Sequence, residues 1–276
     1  GNYLKEEKYS DEFINYFIIP MGAAIWSTPA NKVLDMPAYF FIKFFYNHGM
    51  LEVVNRPKWW VIKNGSKSYI EKITLGFKNK ILLSTPVKKV LRKNNKIIIN
   101  YYSNKNDTHH EEEFDSVIFA THSDQALEVL HDSSTQERDI LSSIPYQKNE
   151  VLLHTDSSVL PRRKLAWASW NYQLDSDPEE PVVLTYNMNK LQSIECDETF
   201  CVTLNNHRLV DKDKVLKKII YHHPLFTVAG IQAQKRKSEI NGVNNTFYCG
   251  AYWHNGFHED GVVSALEVCK HFGEGL

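Results

Sequence analysis

Thr246-Phe247-Tyr248-Cys249-Gly250-Ala251-Tyr252-Trp253-His254-Asn255-Gly256-Phe257-His258-Glu259-Asp260-Gly261-Val262 is the stretch on which the fold turns. Residues 246–250 are short and β-rich and stop at a glycine, so they read as a strand. Residues 260–272 carry Val263, Leu266 and Val268 at helical spacing, with an acid and a glycine at the start. The first turn of a helix offers unpaired N–H groups and a positive dipole end, and Gly261 has no Cβ to block an approaching group. Asp260 as a plain N-cap and Gly261 as a plain turn residue is the competing reading.

Residues 114–120 read as a buried-type strand, and Thr121-His122-Ser123 turns it into a helix through Leu127 and Leu130. Before it, residues 87–91 and 97–101 are β-rich runs joined by Lys93-Asn94-Asn95-Lys96, a hairpin pattern. Between the two strand–helix units, residues 151–154, 165–172, 182–186 and 200–204 read as strands separated by Pro, Asp, Ser and Asn clusters. They predict a mainly antiparallel sheet.

The start of the chain reads as helical. Ser10 is an N-cap followed by Asp11 and Glu12, with Phe13, Tyr16 and Phe17 on one face, and Pro20 is expected to end that helix. Pro37 opens a second helix through Tyr39 to Tyr46, apolar nearly all round, that stops at Gly49. Asn64-Gly65 is a turn, with Ser66 as cap for a helix carrying Tyr69, Ile70 and Ile73. This order predicts interleaved domains, with boundaries at 1–62, 63–135, 136–240 and 241–276.

The chain has 276 residues, and its 32 basic and 33 acidic side chains give a net charge of -1, so no global field favours nucleic acid or an acidic membrane. Cys196, Cys201, Cys249 and Cys269 form neither a C-x-x-C pair nor a dense framework, which predicts reduced thiols, no disulfides and a cytoplasmic protein. The longest apolar run, residues 17–26, contains Pro20 and Gly22 and falls short of a membrane span of roughly 20 residues, leaving a soluble protein or one peripheral to the inner membrane face. Gly1 opens the chain without a charged n-region, so it reads as a processed terminus, an expression scar or the edge of a fragment. Nothing sets an oligomeric state. His254-x-x-x-His258 invites a metal, but Asn255-Gly256 opposes a helix there and no H-E-x-x-H is present, so no metal is expected. Ser-His-Asp catalysis has no G-x-S-x-G elbow to support it.

The segments Pro20-Met21-Gly22-Ala23-Ala24-Ile25-Trp26-Ser27, Asn64-Gly65-Ser66, Thr85-Pro86-Val87 and Phe119-Ala120-Thr121-His122, followed by the 250–261 stretch, occur in an order that resembles the FAD-dependent amine-oxidase and phytoene-desaturase superfamily. Tyr186-Asn187-Met188-Asn189-Lys190-Leu191-Gln192 and His258-Glu259-Asp260-Gly261 are similar to a bacterial subgroup of predicted NAD/FAD-binding, amine-oxidase-like proteins. The implied fold is α/β and α+β: an incomplete FAD/NAD(P)-binding Rossmann-like domain, 63–135 with 241–276, interleaved with a substrate domain of helices, 1–62, and antiparallel sheet, 136–240. The resemblance implies FAD as cofactor. It places Val87 on the strand beside the adenine, Ala120 and Thr121 at the small-residue end of a nucleotide-domain strand, and Gly250, Asp260, Gly261 and Val262 at the helix start facing FAD. His122 departs from the usual Gly or Pro. Val87 is equally a buried strand former, and Asn64-Gly65-Ser66 equally an ordinary cap.

A dinucleotide site needs G-x-G-x-x-G between its first strand and helix, because only glycine lets the backbone touch the pyrophosphate. Gly22, Gly49 and Gly65 are isolated, and none has that spacing. The family's motif precedes the matched segments, so the chain resembles the part that follows it and is expected to bind FAD weakly alone.

Flavin oxidases need little side-chain chemistry, and no catalytic residue is assigned. Lys148 lies in the region where the family places a lysine near the flavin. By similarity Tyr252 and Trp253 wall a substrate cavity, with core aromatics as the alternative. The 37–50 helix either lines an apolar channel or is central to the substrate domain, and Trp26 and Phe41 are further candidates for the substrate pocket. Trp59, Trp60, Trp167 and Trp170 add aromatic surface, and Arg162-Arg163-Lys164 is either a phosphate-headgroup contact or a solvated turn. The leading expectation is an FAD-dependent oxidoreductase oxidising or desaturating a small hydrophobic, lipid-like substrate. A non-catalytic remnant that binds an apolar ligand is the second, and a primary-amine oxidase with an aromatic cage the third.

Overall fold

The structure is a computed structural model describing all residues except 53, 55, 56, 59, 174–182, 206–208 and 276. The expected contribution of Trp59, and the first residue of the 182–186 strand, lie outside the described residues. The chain divides into two units, each built from two separated stretches: Gly1–Thr74 with Tyr146–Leu225, and Leu75–Pro145 with Phe226–Leu276. Among the described residues no helix is long and apolar enough to cross a membrane.

The first unit opens with α1 (Asn2–Glu6) and α2 (Asp11–Phe13), the latter capped by Ser10 Oγ, which accepts the Phe13 N–H at 3.2 Å. Pro20 does not end the helix. A π turn over Ile14–Ile18 leads into α3 (Ile19–Trp26), with Pro20 in its first turn. Proline lacks an N–H and crowds the carbonyl four residues back, and a widened turn there removes the need for that bond. After α4 (Ala30–Val33), α5 (Ala38–Asn47) follows Pro37 and buries Phe40, Phe44 and Phe45 while turning Tyr39 and Tyr46 outward. Ahead of α6 (Lys67–Ile73), Ser66 has helical φ and ψ and makes no capping bond, because an N-cap needs extended backbone to aim its hydroxyl at the helix N–H groups. Ser68 Oγ instead donates to Gly65 O at 2.8 Å.

The second unit begins with β1 (Val87–Lys93) and β2 (Lys96–Ser103), joined through Asn94 and Asn95 at φ 54° and 60°. That pair of positive φ values is the type I′ hairpin turn, which asparagine tolerates. β3 (Thr108–Phe114) pairs with β2, so the expected 114–120 strand breaks at Asp115-Ser116 and only β4 (Val117–Phe119) remains of it. Two helices follow, α7 (Ser123–Val129) and α8 (Thr135–Ser142). Ser134 and Glu137 cap α8 reciprocally: Ser134 Oγ accepts the Glu137 N–H at 3.1 Å, and Glu137 Oε2 accepts the Ser134 N–H at 2.7 Å.

The chain then returns to the first unit with β5 (Tyr146–His154), β6 (Trp170–Gln173), β7 (Val183–Asn187), α9 (Met188–Gln192), β8 (Cys201–Leu204) and β9 (Val215–Pro224). These strands form an antiparallel sheet in the order β6-β7-β8-β5-β9. Residues 164–166 are a single 3₁₀ turn, so the expected 165–172 strand starts only at Trp170. Ala23 and Ala24 of α3, small enough for close approach, pack with Val33 on Leu184 of β7, and Trp170, Tyr172 and Tyr186 close around them.

The second unit finishes with α10 (Val228–Lys235), β10 (Thr246–Tyr248) and α11 (His258–Cys269). β10 runs parallel to β4, pairing Thr246 with Val117 and Tyr248 with Phe119. Phe247, Cys249 and Val268 form a buried cluster that seats α11 on β10. Across the unit, Arg92 grips Glu137 with two bonds of 2.6 and 2.9 Å, and Tyr248 OH donates to Glu137 Oε1 at 2.8 Å. This clasp ties β1, α8 and β10 together.

Candidate functional site

Cys249 N–H donates to Phe119 O at 2.9 Å, so the parallel pairing continues to the carboxyl ends of β4 and β10. Ala120 and Thr121 leave one strand there, exposed, and Gly250 leaves the other. In open α/β layers the carboxyl ends of the strands are where ligands bind. A Cβ on Gly250 would sit 2.5 Å from the buried Tyr252 ring, so this position accepts only glycine while that ring stays in place. Gly250 N–H donates to Ser264 Oγ of α11 at 3.1 Å, which fixes the start of the helix beside the strand end.

At that start, a Cβ on Gly261 would meet nothing nearer than Ala251 N at 4.0 Å, leaving open space. Asp260 Oδ2 accepts the Phe257 N–H at 2.9 Å, and Asn255 reaches Oδ1 only at 3.5 Å. The Asp260 carboxylate therefore caps the helix and keeps room to accept another hydrogen bond. A carboxylate there repels phosphate and suits a hydroxyl donor. The site thus fits the ribityl or ribose part of a dinucleotide cofactor better than its pyrophosphate.

Ala120, Thr121, Gly250 and Gly261 are brought to one end of the β4–β10 pair, and Val262 projects from the next position of α11, 46% exposed. Val87 is placed elsewhere, at the start of β1 opposite Tyr101 in the β1-β2-β3 sheet. Its sheet is tied to β10 through the Arg92 clasp rather than through Val87 itself. His122 is the N-cap of α7, and its N–H donates to Gln125 Oε1.

Tyr252 and Trp253 form a buried 3₁₀ turn held by Gln234, whose Nε2 lies 2.7 Å from both Tyr252 O and His254 O. Trp253 Nε1 is buried with no hydrogen-bond partner among the described residues. An unpaired buried donor is costly, by roughly 1–3 kcal/mol. His254 lies outside α11 and His258 begins it, so the two do not share a helix face. Among the described residues no group of three His, Cys, Asp or Glu side chains could hold a metal ion.

In the first unit, Phe41 lines an apolar cavity of about 160 Å³ together with Phe13, Phe17, Met36, Ile42 and Phe45. Phe41 and Phe45 stack at 4.3 Å and Phe13 and Phe17 at 5.2 Å, forming continuous aromatic walls. Trp26 is not among the side chains around it. Its ring is buried against Phe40, Phe41 and Phe44 in the core of the helices. Lys148 is exposed on β5, opposite His222.

No protein-family model and no curated protein matches the chain. Solved structures do match it. The crystal structure of a CLA-producing fatty acid isomerase from P. acnes aligns with a TM-score of 0.57 and 16% identity, over 95% of this chain and 62% of that one. The chain thus spans less than two thirds of the isomerase, and the likeness is one of fold. Native and K252c-bound RebC-10x aligns at a TM-score of 0.31 with 8% identity, over 62% of this chain and 32% of that one, too slight an overlap to argue from.

Proposed function

We propose that this chain is part of an FAD-dependent oxidoreductase, similar to amine oxidases and phytoene desaturases, that oxidises or desaturates a hydrophobic, lipid-like substrate. The observation that supports it most is the carboxyl end of the β4–β10 pair, where an obligatory Gly250, a bare Gly261 and the Asp260 carboxylate converge. The flavoprotein-like fold shared with the fatty acid isomerase supports the cofactor class, and that protein's named substrate supports an acyl chain.

In this reading Ala120, Thr121, Gly250, Asp260, Gly261 and Val262 hold the cofactor, with Val87 beside its adenine. FAD held by these residues would supply acceptance of a hydride or electrons. Asp260 accepts a hydrogen bond from a ribityl hydroxyl, while Gly261 lets that chain approach the first turn of α11. Tyr252 and Trp253 supply rigid apolar mass behind it. The Phe41 cavity accommodates part of an apolar chain, and such a substrate brings the protein into peripheral contact with a membrane. The alternative is an apolar-ligand-binding module without cofactor, which the Phe41 cavity would serve.

One measurement decides between them. Visible absorbance of the natural full-length product, purified without added flavin, is expected to carry the bands of bound flavin. A folded, colourless product that does not turn yellow with added FAD refutes the cofactor reading. Titrating FAD into residues 1–276 alone is expected to give weak binding or none.

A further inference from the structure

The face of the first unit's sheet opposite α3 carries a row of buried polar side chains beside Leu152 and Val183. Strand pairing places His154 beside Cys201, Cys201 beside Asn187, Thr203 beside Thr185, and Thr185 beside Asn171, so these side chains share that face. His154, Thr203 and Thr185 are all less than 5% exposed. Their hydrogen bonds have a readable direction. Asp156 N–H donates to His154 Nδ1 at 3.1 Å, so Nδ1 carries no proton, and burial favours the neutral ring. The proton therefore sits on Nε2 and is donated to Thr203 Oγ1 at 2.7 Å. Thr203 is 1% exposed and its hydroxyl proton has no acceptor among the described residues other than Thr185 Oγ1, 2.8 Å away, whereas Thr185 borders a cavity, so the direction that leaves no proton buried without an outlet is Thr203 donating to Thr185. The chain of donors ends with the Thr185 hydroxyl proton, which has no acceptor among the described residues.

Thr185 lines a polar cavity of about 490 Å³, with Arg162, Asn171 and Gln173 around it. Asn171 is fully engaged with Ala168 and with Thr185 O, so it is a wall rather than a ligand contact. Ser158, also at the cavity, donates its N–H to Asp156. The Asp156 carboxylate is answered by that N–H, by Asp211 N–H at 2.9 Å and by Lys214 at 3.6 Å. The Arg162 guanidinium and the Gln173 amide bond to no other described side chain. The cavity therefore presents a charged fork, an amide and a buried hydroxyl donor, and no carboxylate lines it.

We propose that this cavity binds an oxyanion, a carboxylate or a phosphate group, with Arg162 as its charged partner and Thr185 as its buried donor. The site belongs to the first unit and does not rest on the flavin reading. A fatty-acid headgroup and a free phosphate share this chemistry, and the test separates them.

Inorganic phosphate and octanoate are titrated separately into the protein at constant ionic strength set with chloride, following the side-chain N–H signals of Gln173 and Arg162 by NMR. Saturable shifts are expected for one or both ligands. Saturation by phosphate alone identifies a phosphate site, and tighter saturation by octanoate than by acetate identifies a lipid carboxylate. Arg162→Gln, at an exposed position, is expected to weaken binding by about ten-fold or more. Thr185→Val is expected to weaken it by about three-fold, with Thr185→Ser retaining it. If neither anion gives saturable shifts, or if Arg162→Gln binds as the wild type does, the proposal is overturned. The Arg162 result decides even if Thr185→Val does not fold.

Discussion

Replacing Glu137 by Gln tests whether the clasp holds the second unit together. Its carboxylate takes two bonds from Arg92, one from Tyr248 and one from the Ser134 N–H, and the side chain is 2% exposed. Burial alone pushes this carboxyl up, but the bonds from Arg92, the Ser134 N–H and Tyr248 outweigh it and hold it at about 2, against an ordinary value of 4.5. Such a difference corresponds to about 3 kcal/mol of stability. Removing one partner of a buried pair costs about 3–5 kcal/mol, and the lower end applies here because Asp132 still faces Arg92 at 3.0 Å. The depressed value also fixes the sign of the pH dependence. The contribution is complete above about 4.5 and is lost as pH falls through about 2. Hydrogen exchange of peptides covering α8 and β10 reads the second unit by itself. The variant is expected to exchange faster at pH 7 and to lose most of the wild-type slope below pH 5. A Glu137→Gln protein protected to within about 1 kcal/mol of the wild type, or one with an unchanged acid slope, refutes the reasoning.

Gly250→Ala forces the buried Tyr252 ring to move from a 2.5 Å overlap, which is expected to destabilise the second unit by about 1–3 kcal/mol and to abolish flavin retention in the full-length product. Calorimetry with visible absorbance checks both, and a stable, yellow variant contradicts the role given to that position. Burial pushes the Cys201 thiol up to about 11, and the nearby Asp156 adds to this, whereas Cys196 is exposed. A maleimide at neutral pH is therefore expected to label Cys196 quickly and Cys201 only after denaturation, as peptide mass mapping would reveal.

Local structure was legible where chemistry is local. Asn94-Asn95 announced a hairpin because asparagine accepts left-handed backbone, and Ser10 announced a helix start through its hydroxyl. β3, reading Thr-His-His-Glu-Glu-Glu-Phe, gave no signal, since all of its side chains are exposed and pairing with β2 rather than apolar alternation makes it a strand. β9 escaped similarly, with lysines and histidines along an edge strand. Pro20 misled because the π turn ahead of it carries no marker residue. At the candidate site Gly250 read as a strand-ending glycine, but the ring that demands it is visible only in space. The Arg92, Glu137 and Tyr248 clasp joins residues 45 and 111 positions apart, and the His154 to Thr185 relay exists only through strand register, so neither leaves a motif.

The π turn over Ile14–Ile18 bears on which changes of length this segment tolerates. A π turn is what an α-helix becomes on gaining one residue, and each residue advances the helix by about 100°. Phe13 and Phe17 face the aromatic cavity from its near side, whereas Ala23 and Ala24 face Leu184 from beyond it. A single-residue deletion there would swing one set away from its neighbours while the other stayed seated. Substitutions that keep the count at five leave both sets facing where they belong, so this stretch is more forgiving of identity than of number.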